Sequence, residues 1–142
     1  MKVGMSLTSN HPDARDPRQG ARWMIERTAA AHRAGLYSLF IGDQHVSATP
    51  YYQNMPMLGR LLAEWGEAPA GCLFLLPLWP PVLVAEQIGT LASITEGPFS
   101  IAASVKLRRD DFMLSPFCAS ATDTPRGSCF SSRLAPGHLM MG

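Results

Sequence analysis

Residues 71–76, Gly-Cys-Leu-Phe-Leu-Leu, are apolar without a break, and Pro80-Pro81 follow closely. A run this short, between turn-forming residues, reads as a strand. Because no polar side chain alternates with the apolar ones, both of its faces must be covered. That is the condition of a strand inside a parallel sheet, and a parallel sheet needs a crossover between each pair of neighbouring strands.

The flanking sequence supplies those crossovers. Lys2 to Leu7 reads as a short buried strand, followed by a polar, turn-rich stretch from Thr8 to Asp16. Asp16-Pro17 is a helix start: an acceptor side chain for free backbone N–H groups, then a ring whose fixed φ suits the first turn. A helix is predicted over Gln19–Ala34, where Ala21, Met24, Ile25, Thr28 and Ala29 recur at helical spacing and Gly35 supplies the stop. Leu36 to Ile41 is a second strand, and Gly42-Asp43-Gln44-His45 follow at once. A loop from Val46 to Asn54 holds Pro50, Tyr51 and Tyr52. Met57 to Trp65 reads as a short helix with Leu58, Leu61 and Leu62 on one face. Beyond the third strand, Pro80 and Pro81 open a helix to about Ile94, with Val82, Ala85, Ile88, Leu91 and Ala92 as its buried stripe. Gly97-Pro98 is a turn, and a fourth strand begins at Phe99 with Ile101, Ala103 and Val105 alternating. Strands alternating with helices give an α/β protein with right-handed parallel crossovers. A doubly wound sheet and a (β/α)₈ barrel both satisfy this order.

Composition narrows the function classes. Twelve basic and eleven acidic residues leave a net charge of +1, which predicts neither a nucleic-acid surface nor a polybasic membrane patch. The most hydrophobic window, Ala70 to Ala85, is shorter than the roughly 20 residues of a spanning helix and is cut by Pro77, Pro80 and Pro81. Cys72, Cys118 and Cys129 lack metal-ligand spacing, and Cys72 reads as a buried thiol, so a reducing, cytoplasmic setting is expected. His11, His32 and His138 read as loop, helix and tail residues, and no metal site is predicted. The absence of a Gly-x-Gly-x-x-Gly fingerprint weakens a nicotinamide-binding reading.

After Phe99 the character changes. Residues 100–142 are rich in serine, and Pro116, Pro125, Gly127, Pro136 and Gly137 divide them into short pieces. The expectation is a domain over residues 1–99, then a fourth-strand remnant and an irregular tail over 100–142. A shifted reading frame accounts for that tail equally well.

Four segments carry a resemblance. They are Ile41-Gly42-Asp43-Gln44-His45, Thr49-Pro50-Tyr51-Tyr52-Gln53-Asn54, Ala85-Glu86-Gln87-Ile88-Gly89-Thr90-Leu91-Ala92, and the turn Gly97-Pro98-Phe99. In this order and at this spacing they resemble luciferase-like monooxygenases, nearest to the branch that includes users of the deazaflavin coenzyme F-420. The resemblance covers residues 1–99 and implies the N-terminal half of a (β/α)₈ barrel, about four βα units. It also implies reduced FMN or the deazaflavin at the C-terminal mouth, and a monooxygenase or other oxidoreductase acting on a small-molecule substrate.

In such a barrel the chemistry sits on loops after the strands. The resemblance therefore puts Asp43, Gln44 and His45 beside the cofactor. Its deazaflavin-using members carry an Asp-His pair here. In this chain Gln44 follows Asp43 and His45 comes one later. If His45 takes the family's histidine position, it suits proton transfer; if Gln44 does, that chemistry is lost. Asp43 equally suits orienting the loop by accepting backbone N–H bonds. Leu73 and Phe74 are expected to form a cofactor platform around a non-prolyl cis bond, and Tyr51, Tyr52 and Trp79 to line the substrate side. A whole barrel takes about 250 residues, so this chain is expected to be inactive by itself. Its exposed sheet edges would favour a homodimer or aggregation. The alternative is a non-catalytic half-barrel that serves as an oligomerisation or interaction module.

Overall fold

A computed structural model describes residues 1–45, 47, 49 and 51–105, and the backbone of 130–134. Strand β1 (Met5–Leu7) leads to helix α1 (Pro17–Arg33), strand β2 (Leu39–Ile41), helix α2 (Asn54–Trp65) and strand β3 (Ala70–Leu75). A single 3-10 turn over Leu76–Leu78 leads into helix α3 (Pro81–Ile94) and strand β4 (Phe99–Ser104), and a fifth strand, β5, spans Phe130–Leu134. Cys118, Cys129, His138 and most of the tail lie outside the described residues.

The sheet order is β1-β2-β3-β4-β5, with the first four strands parallel. This order decides between the two architectures that the sequence left open. A doubly wound sheet reverses its strand order at a switch point. Here every strand adds to the same side of its predecessor, so right-handed crossovers place all three helices on one face. Four parallel strands joined by three helices in this way form part of a (β/α)₈ barrel.

The helices begin and end where local chemistry requires. Asp16 caps α1, its Oδ1 accepting from the Arg18 N–H at 3.0 Å, with Pro17 in the first turn. Gly35 and Gly66 take φ of +72° and +64° just past α1 and α2, a conformation that costs glycine little. Helix α2 starts three residues earlier than its apolar pattern indicates, because Pro56 falls in the first turn, where no intrahelical donor is needed.

The core lies between the sheet and the helices. Leu39, Ile41, Ala70, Cys72, Phe74 and Phe99 meet Met24, Leu58, Leu61 and Trp65 there. The buried stripe of α3 is rotated from the expected one. Val84 and Leu91 are buried, with Ile88 and Ala92 packed partly against the core, while Val82 is 68% exposed and Ala85 is also exposed. The helix carries one charge among fourteen residues, Glu86, so its sequence hardly fixes which apolar face turns inward.

Two further differences bear on the site. The Leu73–Phe74 bond is trans, and no cis bond occurs among the described residues. Strand β3 pairs with β4 in unbroken register from Ala70↔Phe99 to Leu75↔Ser104, which leaves no bulge to house the expected cis platform. In addition, β5 pairs antiparallel with β4, from Phe99↔Leu134 to Ala103↔Phe130. The β4 edge, expected to be open, is therefore covered along most of its length.

Candidate functional site

The strands differ in length, and the site follows from that difference. Pairing of β2 with β3 stops at Ile41↔Cys72, but β3 runs on to Leu75. Beyond that point the β2 side of β3 has backbone groups with no strand partner. Buried backbone groups of this kind need another partner, and two side chains take them. Asn54, fully buried at the start of α2, donates from Nδ2 to the Leu73 carbonyl at 2.6 Å, while its Oδ1 accepts from the Met55 N–H at 2.8 Å. Asp43 Oδ2 accepts from the Leu75 N–H at 2.9 Å.

Asp43 thereby becomes the centre of a cluster. The same Oδ2 accepts from the Trp79 indole N–H at 3.0 Å. Its other oxygen, Oδ1, lies 3.1 Å from His45 Nε2, an ion-pair distance. The two atoms are not aligned for a hydrogen bond, and both are shielded from solvent. The Trp79 ring stands edgewise to His45 and to Phe74, with centroids 5.7 and 6.0 Å apart. A quarter of the His45 side chain remains exposed, and with Nε2 buried against the carboxylate, that exposed part is the rest of the ring. The arrangement can orient an imidazole through one nitrogen and offer the other for proton transfer.

Beside this cluster lies an open depression of about 460 Å³, lined by Ser6 to Asn10 at and just beyond the end of β1, Gly42 to Gln44 after β2, and Tyr51. Burial holds the Tyr51 phenol above its usual pKa, with the nearby Ser9 hydroxyl opposing the rise and the Asp43 carboxylate adding to it. The depression sits at the C-terminal ends of the strands. A cavity of about 160 Å³ lies at their N-terminal ends, among Tyr37, Phe40, Gly71, Pro98 and Ser100, away from Asp43 and His45.

Of the residues singled out in the sequence, Asp43, His45 and Trp79 come together, and Gln44 and Tyr51 line the adjoining depression. Phe74 is fully buried on the helix-facing side of β3 and meets the cluster only through the edge of the Trp79 ring. Tyr52 turns to α1, its hydroxyl donating to the Pro17 carbonyl and its ring lying against Gly20. Leu73 is half-buried and enters the cluster through its carbonyl alone. Asn54 was missed because its role depends on β3 outrunning β2, which no local pattern reveals.

Cys72 sits under the cluster, and burial, reinforced by Asp43, pushes its thiol pKa up to about 12. The reactive form of a thiol is the thiolate. In the native protein at pH 7.5, iodoacetamide is expected to modify Cys72 at least about a hundredfold more slowly than a free thiol. After denaturation in urea the modification should be complete. Peptide mass spectrometry reads both, and rapid native labelling would contradict the buried placement. Among the described residues, no group of three metal-ligating side chains occurs, and no helix is long and apolar enough to cross a membrane.

No protein-family model matches the chain, and no curated protein matches it by sequence. Among solved structures it is similar to the oxygenating constituent of 3,6-diketocamphane monooxygenase from the CAM plasmid of Pseudomonas putida, a type II Baeyer-Villiger monooxygenase in complex with FMN. The TM-score is 0.74 at 19% identity, over 85% of this chain and 34% of the other. The fold is that of a partial (β/α)₈ barrel. At that identity the likeness establishes architecture alone, and the chain spans about a third of its neighbour's length. In a (β/α)₈ barrel the loops after the strands form the mouth, and the loops after β1, β2 and β3 are where the Asp43 cluster and the polar depression are found.

Proposed function

We propose that the chain is part of a flavin-dependent oxidoreductase of the luciferase-like type, a monooxygenase, with the depression beside Asp43, His45 and Trp79 as its share of the cofactor and substrate site. The observation that carries this reading is the joint occurrence of that cluster at the C-terminal mouth and a fold shared with an FMN-bound monooxygenase.

The residues fit a flavin in part. Ser6, Thr8, Ser9, Asn10, Gln44 and Tyr51 offer neutral donors and acceptors suited to the polar edge of a heteroaromatic ring. Among the described residues, no lysine or arginine lines the depression, so none of them supplies a side-chain cation for a phosphate. A bound reduced flavin, or the deazaflavin coenzyme F-420, would supply the electrons. The chain's own residues would supply geometry and proton handling. Asp43 fixes the orientation of the His45 ring, the free side of that ring can take or give a proton at the mouth, and Trp79 walls the site with its N–H committed to Asp43.

Titration with FMN and with lumiflavin, which lacks the phosphate, tests the reading through quenching of Trp79 fluorescence. Both should bind weakly and alike, with Kd on the order of 1 mM, and Trp79→Phe should remove the signal. No interaction with either ring would overturn the proposal. Tight binding of FMN alone would instead place a phosphate site on this chain.

A second reading, a non-catalytic association module, is favoured by the exposure of Val82, Leu83 and Ile94 on α3. It requires a discrete dimer in size-exclusion chromatography together with no flavin binding.

A further inference from the structure

The loops after β1 and β2, which together floor the depression, are joined to each other. Asn10 and Tyr51 form an antiparallel bridge, the Tyr52 N–H donates to the Ser9 carbonyl at 3.0 Å, and Thr49 Oγ1 donates to Asn10 Oδ1 at 2.6 Å. At the end of this seam is His11, only 5% exposed. Its ring packs between Trp23 of α1 and Tyr52, with centroids 5.9 and 5.7 Å apart, and its Nε2 is buried with no partner. Tyr52 is in turn tied to the Pro17 carbonyl. The three segments meet at His11.

We propose that His11 is a proton-sensitive latch: neutral, it holds closed the seam between the loops after β1 and β2 that floor the depression, and protonated, it releases them. The proposal rests on the preceding reading only in taking the depression as the site; the latch itself needs no cofactor.

The physical argument concerns where a proton would go. Protonation makes both ring nitrogens donors. In the closed seam Nε2–H would face no acceptor, and the charge would lie among aromatic rings, away from water, at a cost to the closed state. The groups facing His11 do not compensate. From α1 come the Trp23 indole and the Arg27 cation, from the second loop the Tyr52 phenol, and from its own loop the Thr8 backbone. Burial lowers the His11 pKa, Arg27 lowers it further, and a hydrogen bond with the Thr8 backbone opposes them. The sign follows. A released His11 regains the ordinary value of about 6.5. Above that pH the latch is at full strength, and it weakens as pH falls below it, because only the open form binds the proton readily.

Hydrogen exchange followed by mass spectrometry on the whole chain tests this, after correction for the intrinsic pH dependence of exchange. Between pH 7.5 and pH 5.5, peptides covering 8–16 and 49–53 should lose protection by about tenfold while those of α2 and β3 keep theirs. His11→Phe keeps an aromatic ring but cannot be protonated, so its loops should exchange alike at both pH values. Unchanged protection of the wild-type loops would overturn the proposal, as would a loss of protection spread through the whole sheet. Should His11→Phe fail to fold, an NMR titration of the wild-type imidazoles decides instead. The His11 resonance must titrate together with the Tyr52 ring signals, and titration of His11 without any response from Tyr52 refutes the latch.

Discussion

Replacing Asp43 by alanine is expected to cost about 3 kcal/mol of stability, read as a lowered midpoint in urea denaturation. The size follows from what the carboxylate holds. The Leu75 N–H and the Trp79 indole N–H both donate to Oδ2. Deleting the acceptor leaves two donors without partners in a part-buried setting, at about 1–3 kcal/mol each. Asp43→Asn separates this role from that of the charge. An asparagine can place its carbonyl oxygen where Oδ2 stands and keep both donors satisfied, so its loss should stay within about 1 kcal/mol. Its amide nitrogen then faces His45 Nε2, which must become an acceptor, and the imidazole proton moves to Nδ1. The nitrogen chemical shifts of His45 report that change of tautomer. Equal destabilisation by the two substitutions, with no change at His45, would show that Asp43 does not organise the cluster as described.

The second large effect is expected at Trp65. Its side chain is fully buried at the end of α2, its indole N–H donates to the Pro69 carbonyl at 3.0 Å, and His32 lies against its ring with centroids 5.8 Å apart. Trp65→Ala removes the largest fully buried side chain from the layer between the sheet and the helices, and should cost about 4 kcal/mol. Trp65→Phe retains most of the apolar contact and loses the hydrogen bond, so a loss of about 1–2 kcal/mol is expected. A loss below about 1 kcal/mol for Trp65→Ala would mean that this region repacks freely. Because Trp65 is remote from the depression, flavin affinity should not follow its stability loss, whereas at Asp43 the two should move together.

What could be read from the sequence, and what could not, divides along the range of the interactions. The order of strands and helices was legible because it rests on local periodicity and on punctuation such as Asp16-Pro17, Gly35 and Gly97-Pro98. Placement of Asp43 and His45 at the strand ends followed from their position directly after an apolar run. The phase of α3 was not legible, since the exposed apolar Val82, Leu83 and Ile94 share the outward face with Glu86, Thr90 and Ser93 and blur the boundary between the two faces. Strand β5 was missed because Phe-Ser-Ser-Arg-Leu is short and polar, with no alternation to mark it, as befits a strand at an edge. Asn54 and the double use of Asp43 depend on neighbouring strands of unequal length, a property of their pairing and not of either segment. His11 read as an ordinary loop histidine, because the rings that enclose it come from residues 23 and 52.

The antiparallel pairing of β5 has a geometric consequence for assembly. It occupies the hydrogen-bonding positions along β4 to which the next staves of a closed cylinder would attach. Any polypeptide that completed the ring from this side would first have to evict residues 130–134, leaving the outer rail of β1 as the vacant attachment line among the described strands.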